Sequence, residues 1–258
     1  MMRARRAVLA GILAAGVGAA FYLDLSPANL APGAGGVEVM GEFFGAAMNP
    51  ALESESGSGR SILPTALQAA RDTVIFAAAG MSLALVLGLV LGFLASSAWW
   101  EGDPAGGTGR VRVLLRRTVA PAVYGTTRVL IALMRSIHEL LWALLFLTAL
   151  GLSNATAVIA IAIPYGGTLA KVFSEMIDEA PRDAAYALRA SGASPMQVFA
   201  FGLLPRALPD MTAYAFYRFE CALRASAILG FFGFPTLGYY IAASFENLYY
   251  REVWTYLY

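Results

Sequence analysis

Two groups of ionisable residues stand inside apolar stretches of this chain. Ionisable groups at membrane depth usually face a water-filled cavity or one another, so they mark either a solute path or a tie between helices. Glu220 and Arg224 are four residues apart and therefore share a helix face. Arg135 and Glu139 have the same spacing. The first group is Arg135, His138 and Glu139, and the second is Arg218, Glu220 and Arg224.

The sequence leaves two interpretations of these groups open. In the first, Arg135, Arg218 and Arg224 lend positive potential to a central passage for an anionic solute. In the second, the Arg–Glu pairs tie helices together or lie at the membrane interface, where long side chains reach water. Glu220 is too close in sequence to pair well with Arg218, so Arg218 requires another partner or an aqueous path. His138 fits a packing residue at a kink better than a proton carrier.

The composition is that of a polytopic membrane protein. The 258 residues are 59% hydrophobic and 14% charged, whereas soluble domains carry about 25% charged residues. A net charge of +1 provides no basic field for nucleic acid. One cysteine, Cys221, and one histidine exclude a disulfide framework and a metal site built from several such residues of this chain. The spans also contain no Asp pair or histidine cluster for an intramembrane enzyme, so we expect neither catalysis nor a cofactor.

Five stretches have about the length and apolarity that a membrane-spanning helix requires, roughly 20 residues. We therefore predict an all-α, polytopic transmembrane bundle. The first stretch follows "MMRARR" and resembles a signal peptide, but it lacks a clean cleavage site, which favours a retained signal anchor. Trp99 and Trp100 are expected interfacial anchors of the second stretch. The five run from Ala7 to Leu23, from Thr73 to Trp100, from beyond Pro121 to Leu152, from Ala155 to Phe173 and from Met211 to Phe234.

The distribution of arginines predicts the orientation, because basic residues concentrate on the cytoplasmic side. Arginines precede the first span and cluster between the second and third, whereas the linker between the first and second is acidic. The N-terminus is therefore expected in the cytoplasm. We divide the chain into residues 1–61, a signal anchor with an extracytoplasmic linker, and residues 62–258, a core with a cytoplasmic loop at 174–210. Within the linker, residues 37–48 could form a short interfacial helix.

The stretch "YALRASGASPMQVFAFGLLP", at 186–205, reads as part of two short helices on the cytoplasmic surface. Asp183 is a candidate cap of the first helix, and Gly192 suits the left-handed position at its end. Ser194 can cap the second helix, which we expect to stop before Pro205. Small residues exposed on the first helix would let another surface approach closely. They are Ala184, Ala185 and Ala187.

This stretch resembles the cytoplasmic loop of ABC importer permease subunits. That loop reads Glu-Ala-Ala, three residues, Gly, nine residues, then Ile-x-Leu-Pro; Ala187, Gly192 and Pro205 fall at matching positions. Tyr186 replaces the usual Glu, which removes an ion pair with an ATPase and leaves steric docking intact. Gly202 replaces the usual Ile.

Four further stretches are similar to the phosphonate-type permease subfamily. The likeness spans roughly residues 65–258. His138 departs from the subfamily's usual Pro, and bulky residues interrupt its Gly-rich tail. "GFFGFPTLGYY", at 230–240, is either a re-entrant gate or an outer loop. The family continues with one more apolar helix beyond Tyr258, which favours a shortened chain over a five-span protein. The stretches are "RSIHELLWALLF", "GGTLAKVFSEMIDEAP", "ALRASGAS" and "YRFECALRASAILGFFG".

The resemblance implies the fold of a type I ABC importer permease, with six spans of which five are visible, in a bacterial cytoplasmic (inner) membrane. It implies three protein partners: a cytosolic ABC ATPase dimer, an extracytoplasmic substrate-binding protein and a second permease copy. No phosphate-binding loop of the Walker type is present, so ATP hydrolysis would belong to the ATPase. The expected ATPase-coupling residues are Asp183, Ala184, Ala185, Tyr186, Ala187, Leu188, Gly192, Ala193 and Pro205.

The cargo implied by the resemblance is a small anion, most plausibly a phosphonate or a related phosphorus oxyanion. A different small solute remains an alternative, because the binding protein largely selects the cargo of an importer. A membrane scaffold that transports nothing is the alternative outside transport.

Overall fold

The computed structural model describes residues 2–25, 33–52, 57–59, 61–97 and 110–258, and these form a bundle of helices. Three helices are individually long and apolar enough to cross a membrane, and two bent pairs raise the number to as many as five. This agrees with the five predicted spans. The helices are α1 (Met2–Tyr22), α2 (Ala34–Ala47), α3 (Ile62–Ala95), α4 (Arg110–Ser136), α5 (Glu139–Leu150), α6 (Asn154–Glu179), α7 (Asp183–Ala190), α8 (Leu204–Ile228), α9 (Leu237–Glu246) and α10 (Tyr250–Leu257).

Helix α6 lies at the centre of the bundle, and α3, α4, α5 and α8 all pack against it. Glycines bring the backbones of α3 and α6 together. A Cβ on Gly80 would lie 2.8 Å from the Cβ of Ile161, and a Cβ on Gly88 would lie 2.7 Å from the Cβ of Leu169. Small residues at such contacts allow the close packing that drives helix association in lipid. The α3–α6 pair therefore forms the rigid centre on which the other helices are arranged.

Helix α1 stands apart from this centre. Its described side chains are exposed except for the half-buried Ala20. The stretch Arg5–Tyr22 has the length and composition of a membrane span. Its apolar surface is thus available to lipid or to another chain.

The third predicted span is broken at His138. Helix α4 ends at Ser136, α5 begins at Glu139, and the two are bent by 93°. The His138 backbone is extended, and its Nδ1 accepts a hydrogen bond from the Leu140 amide at 3.3 Å, which starts a new helix. Arg135 and Glu139 therefore do not share a helix face, and a pair based on their four-residue spacing is wrong.

The predicted stop before Pro205 is also wrong. The helical turn Pro195–Gln197 continues through a π-helical turn, Val198–Leu203, directly into α8. Proline normally clashes with the carbonyl four residues earlier. The wider π-helical turn before Pro205 changes that spacing, so the chain stays helical.

The segment between α8 and α9 begins with a 3₁₀ turn, Leu229–Phe232, and contains both buried and exposed residues. Phe234 is 3% exposed and Thr236 is fully buried. The Thr236 hydroxyl donates to the Ala227 carbonyl at 3.0 Å, and the Leu237 amide donates to the Thr73 hydroxyl at 3.1 Å. Non-helical backbone at membrane depth is tolerated when it is buried in protein. Phe234 and Thr236 fit a re-entrant segment, whereas Phe231, 66% exposed, fits an outer loop, so both interpretations stay predictions.

Helix α2 confirms the predicted short helix of the linker, and it packs against α10. The Trp254 indole donates to the Phe43 carbonyl at 2.7 Å, and the Ala51 amide donates to the Arg251 carbonyl at 3.1 Å. The linker is thus attached to the end of the chain. The predicted interfacial anchors at 99 and 100 lie outside the described residues.

Candidate functional site

A cavity of about 360 Å³ lies where the break between α4 and α5 faces α6 and α8. We call it the central cavity. Pro164 and Thr168 of α6 form part of its wall. Five of the six ionisable residues singled out in the sequence line it, and Glu220 does not. The five are Arg135, His138, Glu139, Arg218 and Arg224.

Arg218 is half-buried and has an aromatic environment. Its Nε donates to the Tyr214 hydroxyl at 3.0 Å, so Tyr214 is the additional partner that the sequence required. The guanidinium carbon lies 5.5 Å from the Tyr214 ring centre and 5.8 Å from that of Tyr165. Among the described residues, no carboxylate lies within ion-pair distance of Arg218. Cation–π interactions therefore stabilise its charge without neutralising it.

Arg224 and Glu220 form the predicted ion pair along α8. The Arg224 Nη2 lies 3.0 Å from the Glu220 Oε1, and both side chains are 68% exposed. A charged pair facing lipid at membrane depth would be costly. The face of α8 that carries this pair therefore requires protein or water beside it.

The break between α4 and α5 supplies the rest of the polar wall. His138 Nε2 lies 3.7 Å from the Glu139 Oε2, with side-chain exposures of 62% and 32%. His138 thus stands at the kink, as predicted, but it is exposed and not packed. Arg135 is exposed at the end of α4.

The charges on the central cavity sum to a positive value. Three arginines and one glutamate line it, which gives +2 with histidine neutral, and the neighbouring Glu220 lowers the sum to +1. A positive, partly desolvated cavity attracts anions. The geometry therefore suits a small anionic solute better than a cation.

Two aromatic residues of the site escaped the sequence analysis. Tyr214 lies four residues before Arg218, so the spacing could have revealed it. Tyr165 belongs to α6, and only the packing of α6 against α8 brings its ring to Arg218. Cys221 also lines the cavity.

Helix α7 forms the second part of the candidate site. Ser191 caps its C-terminus, and Gly192 has a left-handed φ of +83°, as predicted. Its N-cap is Arg182, so the expected cap role of Asp183 is wrong: Asp183 is the first helical residue. A carboxylate in the first turn still interacts favourably with the helix dipole.

The exposed face of α7 differs from the predicted one. Ala185 is 2% exposed because Gly202 of the π-helical turn packs onto it, and a Cβ on Gly202 would lie 3.3 Å from the Ala185 Cα. Ala184 is half-buried, so the expectation of three exposed alanines holds only for Ala187. Tyr186, 59% exposed, dominates the outward face.

The capping prediction for the helix after α7 is confirmed. The Ser194 hydroxyl accepts from the Gln197 amide at 3.3 Å, and the Gln197 Oε1 accepts from the Ser194 amide at 2.8 Å. This reciprocal capping box fixes where the chain turns back toward α8. Leu188 and Ala193 pack toward the core, and Pro205 is exposed.

Three contacts stabilise the region beside α7. Asp178, near the end of α6, accepts hydrogen bonds from the Ser96 hydroxyl at 2.7 Å and the Ser97 amide at 3.1 Å. The rings of Phe93 and Phe199 meet edge-on with their centres 4.6 Å apart. The ends of α3 and α6 and the π-helical turn are therefore linked beside α7.

Several known proteins are similar in sequence to this chain. Residues 117–257 match the family model described as binding-protein-dependent transport system inner membrane component. The chain is 34% identical over 186 residues to the phosphite transport system permease protein PtxC of Stutzerimonas stutzeri, covering 70% of this chain and 60% of that protein. It is 28% identical over 179 residues to the phosphate-import permease protein PhnE of Mycolicibacterium smegmatis, covering 69% of this chain and 30% of that protein. The matches thus span less than two thirds of either relative.

Solved structures share the fold. The methionine ABC transporter MetNI, in an inward facing conformation, matches with a TM-score of 0.59 and 20% identity, covering 76% of this chain and 88% of that chain. An amino acid ABC transporter matches with a TM-score of 0.57 and 16% identity, covering 74% and 83%. At these identities the likeness concerns the fold alone.

Proposed function

This chain belongs to the family of binding-protein-dependent transport system inner membrane components, and from that premise we propose that it is the permease subunit of an ATP-driven importer for a phosphorus oxyanion. Family membership and the apolar helices make it a multi-pass inner-membrane protein. Placing its N-terminus in the cytoplasm belongs to the proposal and follows from the arginine distribution.

The observation that carries the proposal is the meeting of three arginines at one cavity. Arg135 comes from α4, and Arg218 and Arg224 come from α8, yet all three line the same space of about 360 Å³. Guanidinium groups donate several hydrogen bonds in a fixed plane, which suits the oxygens of phosphorus oxyanions. A scaffold without transport would gain nothing from unneutralised arginine at membrane depth.

The choice of a phosphorus oxyanion rests on this chemistry and on the relatives. Two relatives carry names for phosphite transport and phosphate import. The structural neighbours transport methionine or other amino acids, which are zwitterions, but at 20% identity or less they support the fold alone. A surplus of positive charge favours an anion over a zwitterion.

The same site requires protein or water on its open side. Arg224 and Glu220 are 68% exposed, and contact between these charges and lipid would be unfavourable. We propose that a second copy of the chain covers this open side, so that two cavities meet along one passage. A substrate-binding protein would deliver the anion from the side of α2 and α10.

ATP hydrolysis by the ATPase would be coupled to the permease through α7. Its outward face, centred on Tyr186 and Ala187, would seat in a groove of a cytosolic ABC ATPase. Because Ala185 contacts Gly202, displacement of α7 would move the π-helical turn and α8 with it. Arg218 lies 14 residues beyond Leu204, or about 21 Å along a helix. A displacement of α7 would thus move α8 and change the central cavity.

The test is reconstitution with the ATPase and the binding protein encoded beside this chain. ATP hydrolysis in proteoliposomes should rise severalfold when the binding protein is loaded with phosphite. Failure of the chain to co-purify with any ATPase, or hydrolysis that ignores the loaded binding protein, would contradict the proposal.

A further inference from the structure

A second, smaller cavity of about 150 Å³ lies beside the first, and we call it the lower cavity. Arg135 borders both cavities. Lys171 of the lower cavity lies seven residues beyond Pro164 of the central cavity, or about 10 Å along α6. The lower cavity also touches Ala95, the last residue of α3. It is therefore displaced toward α7 and the expected cytoplasmic side.

Three cationic side chains line the lower cavity beside apolar residues of α3 and α4. Arg128 and Arg135 are seven residues apart on α4, and Lys171 enters from α6. Lys171 is paired with Glu175 on its own helix. Three cations against one carboxylate leave a charge of +2 around a space of about 150 Å³.

Arg128 has an incomplete set of hydrogen bonds. Its guanidinium lies 4.7 Å from the Tyr124 ring centre, and its Nη2 donates to the Ala95 carbonyl at 3.2 Å. Its Nε is buried and donates to no described atom. A buried cationic donor without an acceptor is unfavourable, and an anion is a strong acceptor for it.

The size of the lower cavity limits the ligand. A volume of about 150 Å³ corresponds to roughly five water molecules at about 30 Å³ each. That space fits a tetrahedral phosphate-sized group with some water. The Ser174 hydroxyl also lines it and donates to the Lys171 carbonyl at 2.7 Å, so its lone pairs can order that water.

We infer that the lower cavity is a second oxyanion site, which binds a phosphorus oxyanion through Arg128, Arg135 and Lys171. The oxyanion has two sources. One is the transported solute, passed on by Arg135 from the central cavity; this source rests on the proposed function. The other is the phosphate of an anionic lipid, since basic pockets between transmembrane helices on the cytoplasmic side bind such head groups.

The test uses the permease assembled with its ATPase in phosphatidylcholine nanodiscs, with ³²P-labelled inorganic phosphate as the probe. All proteins carry Arg218→Gln and Arg224→Gln, so that the central cavity contributes little. Arg128→Gln and Lys171→Gln should each weaken phosphate binding about tenfold or more, because each removes a charged hydrogen bond. Arg71→Gln, which removes an exposed arginine far along α3, is the matched control. Size-exclusion chromatography establishes that every variant is folded and assembled.

A second arm detects the lipid source. Wild-type complex and Arg71→Gln in nanodiscs containing phosphatidylglycerol should retain that lipid in native mass spectrometry, and Arg128→Gln and Lys171→Gln should each release it. Phosphate binding that needs Arg128 and Lys171 supports the solute source, and lipid retention that needs them supports the lipid source. If Arg128→Gln and Lys171→Gln match Arg71→Gln in both arms, the inference is overturned. Hydrolysis stimulated by the binding protein is measured separately on wild type, so failure of the proposed function is distinguishable.

Discussion

Gly202 packs directly against Ala185, with the position of a Cβ on Gly202 only 3.3 Å from the Ala185 Cα. This contact joins α7 to the π-helical turn that leads into α8. A larger side chain at 202 would also meet the Leu188 Cδ1 at 3.2 Å. The contact therefore connects α7, the proposed docking helix, to the helix that carries Arg218.

Gly202→Val should separate α7 from the π-helical turn and lower the ATP hydrolysis that a loaded binding protein stimulates, by a factor of about three or more. Overpacking of this kind costs about 1–3 kcal/mol. Gly125→Val, on α4 with nothing within 4 Å of its Cβ position, should leave hydrolysis unchanged. Equal hydrolysis in the two variants would show that the contact transmits nothing.

Tyr186 is the exposed residue of α7 that we propose contacts the ATPase. Tyr186→Asp should release the ATPase from the permease, because a charge would lose water on entering an apolar groove. Aromatic anchors often contribute about 2 kcal/mol or more to an interface, so the complex should weaken more than tenfold. The readout is the fraction of ATPase that co-elutes with tagged permease. Tyr186→Phe keeps the ring and should retain the ATPase; if both variants retain it, α7 is not the docking element.

The local features around α7 were predictable because their signals are local. The Gly192 turn and the Ser194 cap follow from the backbone freedom of glycine and the hydrogen bonding of serine. Burial of Ala185 was not predictable, because it depends on Gly202, 17 residues later. Continuation through Pro205 depends on the π-helical turn, and no residue pattern marks such a turn.

The charged residues of the central cavity were predictable, but its aromatic residues and its geometry were not. The arginines could be found from the sequence because charged residues within apolar stretches are costly in a bilayer and usually have a function. The break at His138 removed the expected Arg135–Glu139 pair. That break arises where α4 packs closely on α6, at a point where a Cβ on Gly167 would lie 2.6 Å from the Met134 Cβ. Such three-dimensional packing leaves no periodic signal in one sequence.

The close packing of α3 on α6 predicts a loss of stability when a glycine acquires a side chain. Gly88→Ala would place a Cβ 2.7 Å from that of Leu169, so the free energy of unfolding should fall by about 1–3 kcal/mol. Gly125→Ala has open space and should be neutral or slightly stabilising, since alanine favours helix. Thermal unfolding in detergent compares the two. Equal melting temperatures would contradict the packing.

Glu252 is 2% exposed and holds the short segment Gly57–Gly59 against the C-terminal helices. Its Oε1 accepts from the Ser58 amide at 2.8 Å, and its Oε2 accepts from the Ser244 hydroxyl at 3.2 Å. Glu252→Ala should accelerate hydrogen exchange of the Ser58 amide by about tenfold, since a hydrogen bond to a charged group contributes about 1.5–3 kcal/mol. Glu246→Ala, an exposed glutamate nearby, is the control. Slow exchange at Ser58 in the Glu252 variant would show that another group holds the segment.

Arg218 is the central residue of the proposed path, and no described carboxylate lies within ion-pair distance of it. Uptake of ³²P-labelled phosphite into proteoliposomes containing the permease, its ATPase and its binding protein tests this role directly. Arg218→Gln should reduce the uptake rate about tenfold or more, because it removes a charged donor from the path. Arg71→Gln should transport like wild type. Wild-type uptake by Arg218→Gln, at equal amounts of assembled protein, would contradict the account.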